Sequence, residues 1–129
     1  MKHFLCKGCG NLIAMVNDSG KRVSCCNEKM DELTPNSREA SAEKHKPRLK
    51  VAPGKVTVTI GEGENIHPMD KDHSVRWVCL VTNKGSQRKL LMPGEEPKVT
   101  FYTDKDEDVI KAFAYCNLHG LWVSDVKGD

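Results

Sequence analysis

Six cysteines and five histidines are the residues of this 129-residue chain best equipped for chemistry. Cys6, Cys9, Cys25 and Cys26 fall in the pattern C-x2-C-x15-C-C. Lys7 and Gly8 sit between the first two, and Gly10 follows, so a tight turn there aims two thiolates at one centre. Cys25 and Cys26 are adjacent, and one of them must come from a kinked backbone. Four thiolates set tetrahedrally suit zinc or a single iron. A disulfide-stapled hairpin is the competing reading. The histidines are His3, His45, His67, His73 and His119. His67 and His73 bracket one short stretch, and Cys116-Asn117-Leu118-His119 forms another. Each stretch offers a pair of soft or borderline ligands. Imidazole suits iron, copper and zinc, and a thiolate turns the choice away from hard cations. A second metal site is therefore expected.

These ligands need elements to hold them. Residues 1–34 contain the clustered cysteines and few apolar side chains: Leu5, Leu12, Ile13, Val16 and Val23. A metal would supply the stability such a small core lacks. Thr34-Pro35-Asn36-Ser37 reads as a linker. A short helix fits residues 38–44. Beyond residue 48 or so the pattern is β. Val56, Val58 and Ile60 alternate with threonines, as do Val75, Trp77, Cys79 and Val81 with their neighbours. Residues 99–102 and 110–115 supply further strands. Pro53-Gly54, Gly61 to Gly63, Asn83 to Ser86, Pro93-Gly94 and residues 104–108 punctuate them. Short alternating strands with regular turns predict an antiparallel sandwich. Cys79 is expected to be a buried core thiol, Trp77 a core residue and His3 an exposed terminal one. Trp122 either packs beside a metal or fills the core.

Composition excludes several functions. The chain has 20 Lys+Arg against 18 Asp+Glu, a net charge of +2. That field is too weak for a non-specific nucleic-acid binder. No apolar run approaches the roughly 18–20 residues of a membrane span, and no secretory leader is evident. The expectation is a soluble, cytoplasmic protein with reduced thiols. Charge is uneven locally: residues 38–55 carry six positive and two negative side chains, and residues 95–108 carry two positive and six negative. Both stretches read as solvated surface, and the first also offers a basic approach for a small anion.

Taken in order, C-x2-C-x15-C-C, Glu43-Lys44-His45, His67-Pro68 with His73, and Cys116-Asn117-Leu118-His119-Gly120-Leu121-Trp122 closely resemble the two-iron, desulfoferrodoxin type of superoxide reductase. The resemblance spans nearly the whole chain. It implies a desulforedoxin-like domain over residues 1–36, with one iron on Cys6, Cys9, Cys25 and Cys26. Zinc is an alternative occupant there. It implies a catalytic, immunoglobulin-like β-sandwich over residues 37–129. In that domain a second iron is held by His45, His67, His73 and His119, with Cys116 as axial ligand and a sixth position left open. By the same resemblance Glu43 caps the ferric centre and Lys44 favours the incoming anion. The substrate implied is superoxide, reduced by one electron and two protons to hydrogen peroxide. Backbone N–H groups of Leu118 and His119 are placed to moderate the sulfur's electron donation. A rubredoxin or similar small redox protein restores the electron, and a homodimer is the implied assembly.

Two other functions compete. The stretch Tyr115-Cys116-x-x-His119 after a β-sandwich also resembles the blue-copper loop of cupredoxins, which are electron carriers. That site uses two histidines, one cysteine and a weak axial methionine, and no methionine follows Cys116. A zinc-ribbon adaptor is disfavoured by the adjacent Cys25-Cys26 pair, the low net charge and an aromatic content of 5%.

Overall fold

The computed structural model describes residues 1–38 and 40–126. The chain divides into two compact units, Met1–Thr34 and Pro35–Asp129. The first is built from short antiparallel pairs. Strand β1 (His3–Leu5) pairs with β2 (Leu12–Ala14) on one side. Two residues each of β3 (Ser24–Cys25) and β4 (Glu28–Lys29) make a separate hairpin, and β5 (Asp31–Glu32) closes the other side of β1. Phe4, Cys6 and Met30 are its buried core, with Ile13, Met15, Val23 and Cys25 packed against them. This differs from the core expected: Val16 is 97% exposed, because β2 ends at Ala14. His3 also departs from expectation. It is fully buried, since pairing with Ala14 places it in the ladder and not at a free end.

The second unit is an antiparallel sandwich, as the alternation predicts. One helical turn, α1 (Ala42–His45), leads into β6 (Pro47–Ala52). The helix begins later than expected, and Glu39 of the predicted stretch lies outside the described residues. The strands after it are β7 (Lys55–Ile60), β8 (Val75–Thr82), β9 (Gly85–Leu90), β10 (Lys98–Tyr102), β11 (Val109–Cys116) and β12 (Gly120–Asp125). One sheet runs β10-β7-β6 and the other β12-β11-β8-β9. Period-2 alternation turns Val56, Val58 and Ile60 of β7 inward with Val99 and Phe101 of β10. They meet Val78, Leu80, Ala112 and Ala114 of the facing sheet. Burying a side chain such as Phe101 contributes on the order of 1.5–3 kcal/mol. Cys79 and Trp77 are buried as predicted. The strands not anticipated are β6, β9 and β12. The first two are edge strands carrying Arg48, Lys50, Arg88 and Lys89, which keep an edge soluble but erase the apolar alternation.

Two local departures from regular geometry shape the ligand-bearing end of the sandwich. Gly61 has φ +81°, and a Cβ there would stand 2.1 Å from the Asn65 carbonyl oxygen. Only glycine lets the Gly63–Asn65 turn fold back and bring His67 to the end of β7. In the β8–β11 ladder Tyr115 faces Trp77 but Cys116 faces Val75. Arg76 is the extra residue of a bulge, which lets Val75 enter the core beside Cys116. Among the described residues no helix is long and apolar enough to cross a membrane, which says nothing of a β-barrel.

Candidate metal centres

In the first unit the turn between β1 and β2 presents Cys6 and Cys9. The Cys6 N–H donates to the Asn11 carbonyl at 2.9 Å, and the Gly10 N–H donates to the Cys6 carbonyl at 2.8 Å. Gly10 takes φ +85°. A Cβ on Gly8 would lie 3.2 Å from the Cys26 Cβ and 3.7 Å from the Cys6 Sγ, so a bare residue there leaves room for the sulfurs. The predicted kink falls at Cys26, with φ +53°, and continues at Asn27 with φ +62°. The four Sγ atoms lie within 4.8 Å of one another, with Cys9–Cys25 at 3.6 Å and Cys25–Cys26 at 4.0 Å. Sulfurs about 2.3 Å from a tetrahedral metal would be about 3.8 Å apart, so the cluster fits one ion. None of the cysteines is in a disulfide. The Cys9 backbone N–H lowers the Cys6 thiol to about 7. The neighbouring sulfurs, Cys9 first, push Cys26 up to about 12. Four thiolates gather here only against a cation.

In the second unit five candidate ligands from four segments meet at one end of the sandwich. His45 ends α1, His67 follows β7, His73 precedes β8, Cys116 ends β11, and His119 lies in the β11–β12 turn. The imidazoles form a closed ring of edge-to-face neighbours. Centroids are 4.7 Å apart for His45–His67, 5.0 Å for His67–His73, 5.1 Å for His73–His119 and 4.7 Å for His45–His119. Two of the outer nitrogens are tied to backbone. The His45 Nδ1–H donates to the Ser41 carbonyl at 2.7 Å, and the His67 Nδ1–H donates to the Pro68 carbonyl at 2.7 Å. Those bonds select the tautomer and free Nε2. The Nε2 atoms of His67 and His73 are buried and without a hydrogen-bond partner. His45 Nε2 and His119 Nδ1 are 3.0 Å apart. Two cis ligands about 2.1 Å from one metal would be about 3.0 Å apart. Two buried inward nitrogens without a partner, beside two more at metal-ligand spacing, fit a bound ion. The ligand atoms of His45, His73, Cys116 and His119 lie within 4.8 Å of one another, and the Cys116 Sγ is 3.9 Å from His119 Nδ1.

Burial lowers the pKa of His67 to about 4 and also lowers His45 and His73. These rings are therefore neutral at pH 7, as metal-binding imidazoles must be. Their unfolded counterparts titrate near 6.5. Between these values the unfolded state binds the extra proton, so stability falls as pH drops from about 6.5 toward 4. In urea titrations of the metal-free chain, we expect His67→Gln to flatten that slope by up to about 1.4 kcal/mol per pH unit. An unchanged slope contradicts the burial of His67 as its cause.

Trp122, ambiguous in the sequence, is committed to the site. Its ring stacks on His45 at 5.0 Å, and its Nε1–H donates to the His119 carbonyl at 3.1 Å. Two participants were not anticipated. Asn65 donates to the Glu43 Oε2 at 3.4 Å, and Asn117 bonds across to the His73 loop. Glu43 and Lys44 are exposed on α1. Lys44 is among the charges that disfavour protonation of His45, after burial and the neighbouring histidines.

Comparison with known proteins agrees with this geometry. The sequence profile described as Desulfoferrodoxin matches residues 37–125. A desulfoferrodoxin homologue of Archaeoglobus fulgidus is 34% identical over 124 residues, covering 96% of each chain. A desulfoferrodoxin of Nitratidesulfovibrio vulgaris is 32% identical over 122 residues, covering 95% of this chain and 94% of its own. The crystal structure of the superoxide reductase from Treponema pallidum superimposes with a TM-score of 0.76 at 33% identity, covering 95% of this chain and 98% of that one. With a four-cysteine cluster and a four-histidine, one-cysteine cluster that match the two-iron pattern, this chain belongs to the desulfoferrodoxin family.

Proposed function

We propose that this protein is a superoxide reductase, which converts superoxide, one electron and two protons to hydrogen peroxide. The observation that carries the reading is the closed ring of four imidazoles beside the buried Cys116 sulfur. Its ligands are His45, His67, His73, His119 and Cys116. Ferrous iron held by these residues would supply the electron and attract a small anion. A blue-copper carrier uses two imidazoles, and the ring has four.

The chain's own residues account for the rest. Cys116 is 2% exposed, whereas His73 and His119 are partly accessible, so an anion would approach over the imidazoles and not past the sulfur. With a single thiolate among its ligands, a ferrous ion held here would keep a net positive charge that would attract an anion. Lys44, the exposed cation next to His45, adds to that attraction. Glu43, now held by Asn65, is the carboxylate assigned to cover the oxidised centre. In the first unit Cys6, Cys9, Cys25 and Cys26 are assigned to one iron, or to zinc in a purely structural role. Residues 1–36 are the desulforedoxin-like domain and 37–129 the catalytic one. A small redox protein such as rubredoxin returns the electron. The reading places the protein in the cytoplasm as a homodimer.

The test combines metal content with product stoichiometry. Two irons per chain, and one peroxide per superoxide with no dioxygen released, are expected. Half that peroxide with dioxygen evolved would mean dismutation, and copper in the second site would mean a carrier. Lys44→Ala is expected to slow superoxide capture about fivefold, equivalent to about 1 kcal/mol of lost attraction, with unchanged iron content. Equal capture rates would remove Lys44 from the reaction.

A further inference from the structure

We infer that Asn117 is a positioning residue. It locks the His73 loop to the Cys116–His119 turn and so sets where the sulfur and two imidazoles stand relative to one another. The inference rests on the proposed ligand assignment and deepens it. The Asn117 Oδ1 accepts the Ser74 N–H at 2.9 Å, and its Nδ2 donates to the Asp72 carbonyl at 2.8 Å. Its own N–H donates to the Ser74 carbonyl at 3.3 Å. The three bonds grip the residues on both sides of His73 from the position next to Cys116.

The surrounding backbone explains why this grip is needed. The bulge at Arg76 shifts the β8–β11 register just where the ligands begin, so regular ladder bonds do not continue to His73. The segment from Asp70 to His73 is closed on itself. The Asp70 N–H donates to the His73 carbonyl at 2.9 Å, and the His73 N–H donates back to the Asp70 carbonyl at 3.2 Å. Asn117 therefore holds a preformed loop as one body. Ser74 is fully buried, so its N–H has no water to turn to if the amide is removed. Asparagine suits the post because one planar amide offers both an acceptor and a donor. Aspartate would keep the acceptor but set an oxygen against the Asp72 carbonyl.

The test uses the full chain loaded with iron. Chelator competition gives the iron affinity of the second site. The thiolate-to-iron absorption and the reduction potential report how the sulfur stands to the metal. Groups that orient metal ligands commonly change affinity by about 10–100-fold, and Asn117→Ala is expected in that range with a shifted band and potential. Asn117→Asp should fall between it and the parent protein. Ser74→Ala removes a side chain whose backbone makes the bonds, so affinity and band should stay as they are. If Asn117→Ala does not fold, Asn117→Asp carries the test, with an expected loss of at least about threefold and a shifted band. Parental affinity, band and potential in the folded variant overturn the inference, even if the melting temperature falls. A parent protein that binds no iron at this site overturns the proposed function as well.

Discussion

Cys116→Ser is expected to lower superoxide reduction by at least about a thousandfold and to empty the second site of most of its iron. Groups that only orient a ligand are worth about 10–100-fold, and the ligand itself should exceed that. A thousandfold corresponds to about 4 kcal/mol. A serine hydroxyl keeps its proton at pH 7, so the substitution removes an anionic, polarisable donor from a site otherwise made of imidazoles. Cys79→Ser is the matched control. Cys79 is as deeply buried as Cys116 and lies in the neighbouring strand β8. Burial raises its pKa, as expected of an inert core thiol. Its replacement should cost about 1–3 kcal/mol of stability through a buried hydroxyl and leave iron absorption and turnover intact. The two variants should thus separate cleanly. One loses the centre with little change in the apo fold, and the other loses stability with the centre preserved. If Cys116→Ser reduces superoxide at the parental rate, the ligand assignment fails.

Cys9→Ser combined with Cys26→Ser is expected to unfold residues 1–34 while the sandwich stays folded. The first unit has three buried core residues, Phe4, Cys6 and Met30, and its strands are two or three residues long. Structural metal sites in peptides of this size supply about 10–16 kcal/mol of apparent binding energy, which nothing else in the unit replaces. Amide hydrogen exchange on the full chain reads the outcome. Protection should vanish from residues 3–5 and 12–14 and persist in residues 75–82 and 109–116. Retained protection in both units, with no metal bound, would show that the apolar cluster suffices alone. Elemental analysis of the parent chain separates iron from zinc in this centre.

The two centres differ in how far they could be read without a structure. The four-cysteine cluster was legible because its parts are local. A two-residue spacing closes through one turn, and an adjacent pair forces a kink, which falls at Cys26 with φ +53°. The buried face of that unit was not legible. Val16 lies just past the end of β2, next to the turn-forming Asn17-Asp18-Ser19-Gly20, so its apolar side chain is exposed by position. Phe4 and Met30 come together only once β1, β2 and the β3–β4 hairpin are formed. The inner strands of the sandwich could be read from alternation. The edge strands β6 and β9 could not, because charge replaces hydrophobicity where a strand meets water.

By itself, then, the sequence supplied the candidate ligands, the four-cysteine pattern and the antiparallel β class, since each rests on residue chemistry or on contacts within a few positions. The tertiary structure decided the rest. His45 and His119 are 74 residues apart, yet their ring nitrogens stand 3.0 Å from each other. That approach exists because antiparallel pairing returns the starts of β6 and β8 and the ends of β7 and β11 to one edge of the sandwich. Likewise the stacking of Trp122 on His45, the grip of Asn117 on the His73 loop and the burial of His3 come from long-range register. Register is set by packing one sheet on the other, which no short window of sequence contains.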